Sequence, residues 1–306
     1  MSDRPSQNPR RIDAAAVARV LQRLADQPAA PWLHTEVARR MAERLALIRL
    51  QPERIVDWWS FLGGGGEVLD AAYPKAQRIA VEPTPALVQR SRRANERPWW
   101  SVRRYAGPHA EAMLDTDVGI HRPGPAQLVW ANMMLHAIED PPALMARWQE
   151  LLSADGFVMF SCLGPATLRE LRGLYRRRGG SVPTIAFVDM HDLGDMLVQA
   201  GFADPVMDQE TVTLSWADPP SLLSELRLMG ANVLPERSAG LRTPRWQRSL
   251  ESDLMTLQAA DGRLHLSFEI AYGHAFKALP RARPNAETSV SLDAMRAMVR
   301  SGRTRN

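Results

Sequence analysis

The chain holds a single cysteine, Cys162, among its 306 residues, which excludes an internal disulfide and any zinc site built from a cysteine cluster. It also lacks any run of about 18 to 20 apolar residues, the length a membrane-spanning helix needs. The first eleven residues, Met1 to Arg11, are polar and contain Pro5 and Pro9, without the apolar core of a secretion signal. These absences point to a cytoplasmic protein in a reducing compartment, with no membrane contact. His, Asp and Glu are scattered without metal-ligand spacing, so no metal is expected. Lysine is scarce, and almost all of the positive charge behind the net +4 is carried by arginine.

What is present has the make-up of a globular protein, 45% hydrophobic and 24% charged. Arg169, Arg172, Arg176, Arg177 and Arg178 concentrate charge on one helix and its end, beside Gly179 and Gly180. Such a cluster suits an acidic protein or phosphate groups, or is simply a solvated face. Nucleic acid is not favoured, because no zinc finger, aromatic RNA-binding pair or helix-turn-helix signal accompanies the arginines. Cys162 lies in the apolar run from Phe157 to Leu163 and reads as a small buried filler.

Periodicity gives an alternating α/β order. Helices are expected over Ala14 to Leu24, capped by Asp13, and over His34 to Leu50. Strands are expected at Arg54 to Trp58, Arg78 to Val81, Ser101 to Tyr105, Ala126 to Ala131 and Gly156 to Cys162. The intervening helices fall at Gly66 to Tyr73, Pro85 to Asn95, Pro141 to Leu152 and Pro165 to Arg177. Later come a helix over His191 to Ala200 with Asp192 as a cap near its start, a strand over Pro205 to Trp216, helices over Pro219 to Gly230 and Arg245 to Ala260, and a last strand over Leu264 to Ala275. The domain plan is a disordered start (1–12), N-terminal helices (13–50), a main domain (51–279) with a helical insertion near 219–260, and a loose basic tail (280–306).

The densest signal is Ile55-Val56-Asp57-Trp58-Trp59-Ser60-Phe61-Leu62-Gly63-Gly64-Gly65-Gly66, followed 25 residues after Asp57 by Glu82 at the end of the next strand. A strand, a glycine-rich turn, a helix and a strand closing on an acid form a nucleotide-binding α/β unit, in which the acid accepts from two ribose hydroxyls. Asp57 orients the turn or accepts from a cationic ligand. No G-x-G-x-x-G or phosphate loop is present, which disfavours dinucleotide and phosphoryl chemistry. Methyl transfer asks less, because it proceeds largely by positioning and leaves few diagnostic catalytic residues. No catalytic residue is assigned. The alternative is a tight turn with Glu82 as an exposed helix cap.

From Trp32 to about Lys277 the chain resembles the class I S-adenosylmethionine-dependent methyltransferases, and within them the malonyl-acyl-carrier-protein O-methyltransferases of biotin synthesis. The resemblance is carried by Leu33-His34-Thr35-Glu36-Val37-Ala38-Arg39-Arg40-Met41, Leu128 to His136, Phe160 to Arg172, Met190 to Asp195, Ala200 to Asp208 and Tyr272-Gly273-His274-Ala275. It implies a Rossmann-like α/β fold with a seven-stranded, mainly parallel sheet, an antiparallel last strand and a helical insertion. It implies S-adenosylmethionine as cofactor, held by Asp57, Gly63, Gly64, Glu82, Pro83, His109, Ala110 and Asn132. It further implies an acyl carrier protein bearing a malonyl group as partner, with Arg172 and His191 facing the substrate. Three departures bear on one pocket: Trp59 and Phe61 in the turn, His109 where the family has an acid, and Gln27 to Trp32 in place of a Tyr-containing closing segment. They leave open a protein of the same fold that serves as a binding or assembly factor, or a methyltransferase for another substrate.

Overall fold

A computed structural model describes residues 11–95, 111–119, 125–237 and 242–278. Helices α1 (Ala14–Ala25) and α2 (Trp32–Leu45) lead into strand β1 (Arg54–Trp58), a one-turn helix α3 (Ser60–Gly63) and α4 (Gly66–Ala72). Next come β2 (Gln77–Glu82), α5 (Pro85–Asn95), β3 (Glu111–Leu114), β4 (Ala126–Ala131), α6 (Pro141–Leu151) and β5 (Leu152–Leu163). The remainder is α7 (Arg169–Arg177), α8 (Met190–Gln199), β6 (Phe202–Trp216), α9 (Pro219–Met229), α10 (Pro244–Met255) and β7 (Leu264–Lys277). Helix starts follow local chemistry. Asp13, Asp140, Asp218 and Thr243 each accept from a backbone N–H of the first turn, and the last three are followed by proline, whose missing N–H costs nothing there.

The seven strands form one sheet in the order β3-β2-β1-β4-β5-β7-β6, with β7 antiparallel to both neighbours and the other pairings parallel. Strand residues are apolar on both faces because both faces are covered. Val56, Val129 and Val158 enter one core with residues of α1, α5, α6 and α8, whereas Ile55, Leu128 and Phe157 enter a second core with residues of α2, α4, α7 and α10. The strand order reverses between β1 and β4, so a crevice for a ligand belongs at the carboxyl ends of β1, β2 and β4.

The sequence expectations for fold and sheet hold, with local corrections. The strand expected at Ser101 to Tyr105 lies outside the described residues, and the third strand of the sheet is the short Glu111–Leu114, whose mixed sequence gave no alternation. Helix α2 stops at Leu45 rather than Leu50. Helix α7 starts at Arg169 rather than Pro165, because Leu168 takes a left-handed conformation (φ 54°) that interrupts the chain before it. Asp189 caps α8, accepting from the N–H of His191, so Asp192 is not the cap.

Candidate functional site

The site is built where β1 ends. Trp59 adopts a left-handed conformation (φ 54°, ψ 47°) and donates its N–H to the Val81 carbonyl at 2.6 Å. That reversal starts α3, a helical turn that sequence reading missed because its residues carry no cap and no helical period. The first turn is therefore Trp59 plus a wound Ser60–Gly63, and only Gly64, with φ 64°, needs the freedom of glycine on dihedral grounds.

Asp57 and Glu82 both sit at this crevice and both are buried, at 1% and 0% exposure. The Asp57 Oδ2 accepts from the Ser60 hydroxyl at 2.5 Å and from Arg78 Nη1 at 3.3 Å, while Arg78 Nε reaches Asp70 at 3.0 Å. Glu82 Oε1 accepts from the Phe61 N–H at 2.7 Å and from the Ser91 hydroxyl. Asp57 Oδ1 and Glu82 Oε2 are buried with no hydrogen-bond partner. Burial raises the Glu82 carboxyl to about 7 against the pull of Ser91 and Phe61, and burial also raises Asp57 against the opposing field of Arg78. Glu82 is thus no exposed helix cap; Thr84 accepts from the N–H of Leu87 in the first turn of α5.

Asn132, just past β4, ties the crevice to its cover. Its Nδ2 donates to the carbonyls of His34 (2.7 Å) and Gly63 (2.5 Å), and its Oδ1 accepts from the Ser161 hydroxyl at 2.6 Å. His34 Nδ1 donates to the Leu62 carbonyl at 2.8 Å, and burial lowers its pKa to about 4, so the ring is neutral at ordinary pH. The glycines back onto protein rather than onto open space. A Cβ at Gly63 would meet the Asn132 carbonyl at 3.3 Å, one at Gly64 the Thr35 hydroxyl at 2.8 Å, and one at Gly65 the Trp130 indole nitrogen at 2.5 Å. Arg90 of α5 donates to the carbonyls of Gln27 (2.6 Å) and Pro28 (3.1 Å) and lies 4.9 Å from the Phe61 ring, which pins the α1–α2 connection above the turn.

Of the other residues singled out by sequence, Pro83 is partly buried beyond β2, and His109 and Ala110 lie outside the described residues. Arg172 does not pair with Glu170; it donates to the Pro165 carbonyl, while Glu170 accepts from the N–H and hydroxyl of Ser267. His191 is exposed in the first turn of α8. The structure brings Asp57, Gly63, Gly64, Glu82 and Asn132 together, but Arg172 and His191 ride on helices packed against opposite faces of the sheet. Sequence reading missed Ser60, Arg78, Ser91, His34 and Ser161, which bind the acids, Leu62 and Asn132. Their separations along the chain match no motif, and only the fold makes them neighbours. Among the described residues no group of His, Cys, Asp or Glu could hold a metal, and no helix is long and apolar enough to cross a membrane.

In chemistry the site suits a ligand with hydroxyl or amino hydrogens, because one carboxylate oxygen at each of two adjacent strand ends, Asp57 Oδ1 on β1 and Glu82 Oε2 on β2, is buried without a hydrogen-bond partner. In space it is closed by α3 and by the connection above it. The comparisons agree with the fold. A methyltransferase domain model matches residues 11–204. The chain is 37% identical over 273 residues to the malonyl-[acyl-carrier protein] O-methyltransferase of Gallionella capsiferriformans, covering 88% of this chain and 93% of that protein. It is 38% identical over 255 residues to the enzyme of the same name from Laribacter hongkongensis, covering 82% and 84%. The solved structure of the YcgJ protein from Bacillus subtilis superposes with a TM-score of 0.52 at 9% identity, over 80% of this chain and 99% of that one, a likeness of fold alone. The fold, the crevice at the switch point and these relatives converge: the chain belongs to the methyltransferase family, in its malonyl-[acyl-carrier protein] O-methyltransferase branch.

Proposed function

We propose that the protein is a cytoplasmic S-adenosylmethionine-dependent O-methyltransferase that esterifies the free carboxylate of a malonyl group borne on an acyl carrier protein, a reaction of biotin synthesis. The observation that carries this reading is the identity of 34–38% over at least 80% of the chain with several enzymes named for that activity. When bound, the cofactor supplies an electrophilic methyl group on a sulfonium sulfur. Asp57, Gly63, Gly64, Glu82, Pro83 and Asn132 would hold it, with His109 and Ala110 alongside. Glu82 Oε2 and Asp57 Oδ1 are the acceptors with capacity to spare. Arg172 would hold the acceptor carboxylate with the donors that Pro165 does not use, because a planar guanidinium matches two oxygens, and His191 would border the substrate. The chain's contribution is placement and exclusion of water, worth several powers of ten in rate when the reacting atoms are held in line.

For the cofactor to enter, α3 and the connection above it must move, since both acids are fully covered. Calorimetric titration with S-adenosylmethionine, followed by transfer of labelled methyl to malonyl-carrier protein, tests the reading. Micromolar binding that is lost in Glu82→Ala, with label in the carrier fraction, is the expected result.

A second reading has its own observation. The Phe61 N–H occupies Glu82 Oε1, and three glycines of the turn are packed on Thr35, Asn132 and Trp130. These contacts favour a methyltransferase fold retained as a binding or assembly factor. No cofactor binding at millimolar concentration would select it. Cofactor binding without malonyl turnover would select a methyltransferase for another acceptor.

A further inference from the structure

A second cavity lies away from the crevice, between the end of α7 and the start of α10. It has a volume of about 440 Å³ and is lined by Tyr175, Arg178, Gly180, Ser181, Arg242 and Trp246. Two guanidinium groups flank one indole: Arg242 Cζ lies 4.2 Å from the centre of the Trp246 ring and Arg178 Cζ 5.9 Å from it. The two differ in what they have left to give. Arg178 is held by α10, donating to the Ser249 carbonyl at 3.1 Å and to its hydroxyl at 3.3 Å and pairing with Asp253, so it fixes the wall and is largely neutralised. Arg242 is exposed and forms no ion pair with a described residue. Arg176, Arg177 and Arg245, on the flanking helices, are likewise exposed and without an acidic partner among the described residues.

The position of the cavity restricts its ligand. After α7 the chain passes from one face of the sheet to the other, and on the way Ile185 and Phe187 pack on Ala16, Val17 and Val20 of α1. That passage crosses the carboxyl side of the sheet, the side on which the crevice opens. Gly180 and Ser181, which line the cavity, begin that passage, so the cavity lies on the same side of the sheet as the crevice. A carboxylate that is to be methylated must reach the crevice itself, so an anion held at Arg242 is a different group of the same substrate. The arm by which a carrier protein presents an acyl group has one other anion, a phosphate ester, followed by an uncharged organic chain. Arginine recognises the tetrahedral oxyanion by its forked donors, the Ser181 hydroxyl adds a short-range donor, and Trp246 and Tyr175 give the chain two aromatic surfaces.

We infer that this cavity seats the phosphate ester of the carrier's prosthetic arm, with Arg242 as its principal charge and Trp246 and Tyr175 beside the arm. The inference rests on the reading that the substrate is borne by a carrier protein, but it concerns binding and not methyl transfer. The test is calorimetry on the full chain with four probes: malonyl-phosphopantetheine, malonyl-pantetheine without the phosphate, inorganic phosphate and malonyl-carrier protein. Arg242→Gln and Trp246→Leu are compared with the wild type after circular dichroism has established folding. The expected result is that malonyl-phosphopantetheine and malonyl-carrier protein bind at least tenfold more weakly to Arg242→Gln, whereas malonyl-pantetheine binds both proteins equally weakly. Arm affinity unchanged in Arg242→Gln overturns the site. Inorganic phosphate binding as tightly as the arm, with the same dependence on Arg242, overturns the carrier as its source. Arm binding that depends on Arg242 in a protein that transfers no methyl group sustains this inference while the proposed activity fails.

Discussion

The two polar regions on the carboxyl side of the sheet use their charge in opposite ways. At the turn after β1, ionisable and amide groups are drawn inward and consumed: Arg78 on Asp57, Ser91 and the Phe61 N–H on Glu82, Ser161 and two carbonyls on Asn132. At the end of α7 the charge is left over, with Arg176, Arg177 and Arg242 facing solvent. The difference teaches that a polar cluster at the expected place is not by itself an open site. The first region is presently organised for stability and must exchange internal bonds for those of a ligand, whereas the second can meet a ligand without rearrangement.

The sharpest way to break the contrast is to remove its central amide. Asn132→Ala strands the buried His34 and Gly63 carbonyls and the Ser161 hydroxyl, and should destabilise the protein by roughly 3 kcal/mol or more in urea unfolding. Glu82→Gln gives an effect of similar size that depends on pH. With the native carboxyl near 7 and the unfolded one near its ordinary 4.5, stability is fully present below pH 4.5 and falls as pH rises toward 7, because the unfolded chain ionises first. The substituted protein lacks this loss, so its stability relative to wild type should improve by about 3 kcal/mol between those limits in parallel unfolding series. Gly64→Ala should cost about 2 kcal/mol in the same assay, from a left-handed residue and a Cβ that meets Thr35. At the other region Arg177→Gln should change stability by less than about 0.5 kcal/mol, since the side chain is exposed and has no acidic partner among the described residues. An equally large loss there would erase the distinction.

Much of the fold was legible because strand and helix alternate with clear punctuation. Asp-Pro-Pro at 140–142 and at 218–220 announced two helix starts, and continuous apolar runs such as Phe157 to Leu163 announced strands covered on both faces. The acids at 57 and 82 and the amide at 132 were legible as strand-end groups for the same reason. The one-turn α3 was not, since it depends on the positive φ of Trp59, a conformation no local preference signals. Nor were Ser91 and Arg78 legible as partners of the acids, because those bonds exist only once β1, β2 and α5 are stacked. Arg172 shows the reverse case. The residue type and helix were read from sequence, but its engagement with the Pro165 carbonyl follows from where α7 begins.

The elevated pKa of Glu82 gives the crevice a signature in the surrounding buffer. With its carboxyl raised to about 7, Glu82 takes up and releases its proton around neutral pH, and Oε2 is the oxygen without a hydrogen-bond partner. A ligand hydroxyl that donates to that oxygen stabilises the ionised form and expels the proton. Occupation of the crevice would then acidify an unbuffered solution, and the heat of binding would change with the ionisation enthalpy of the buffer chosen.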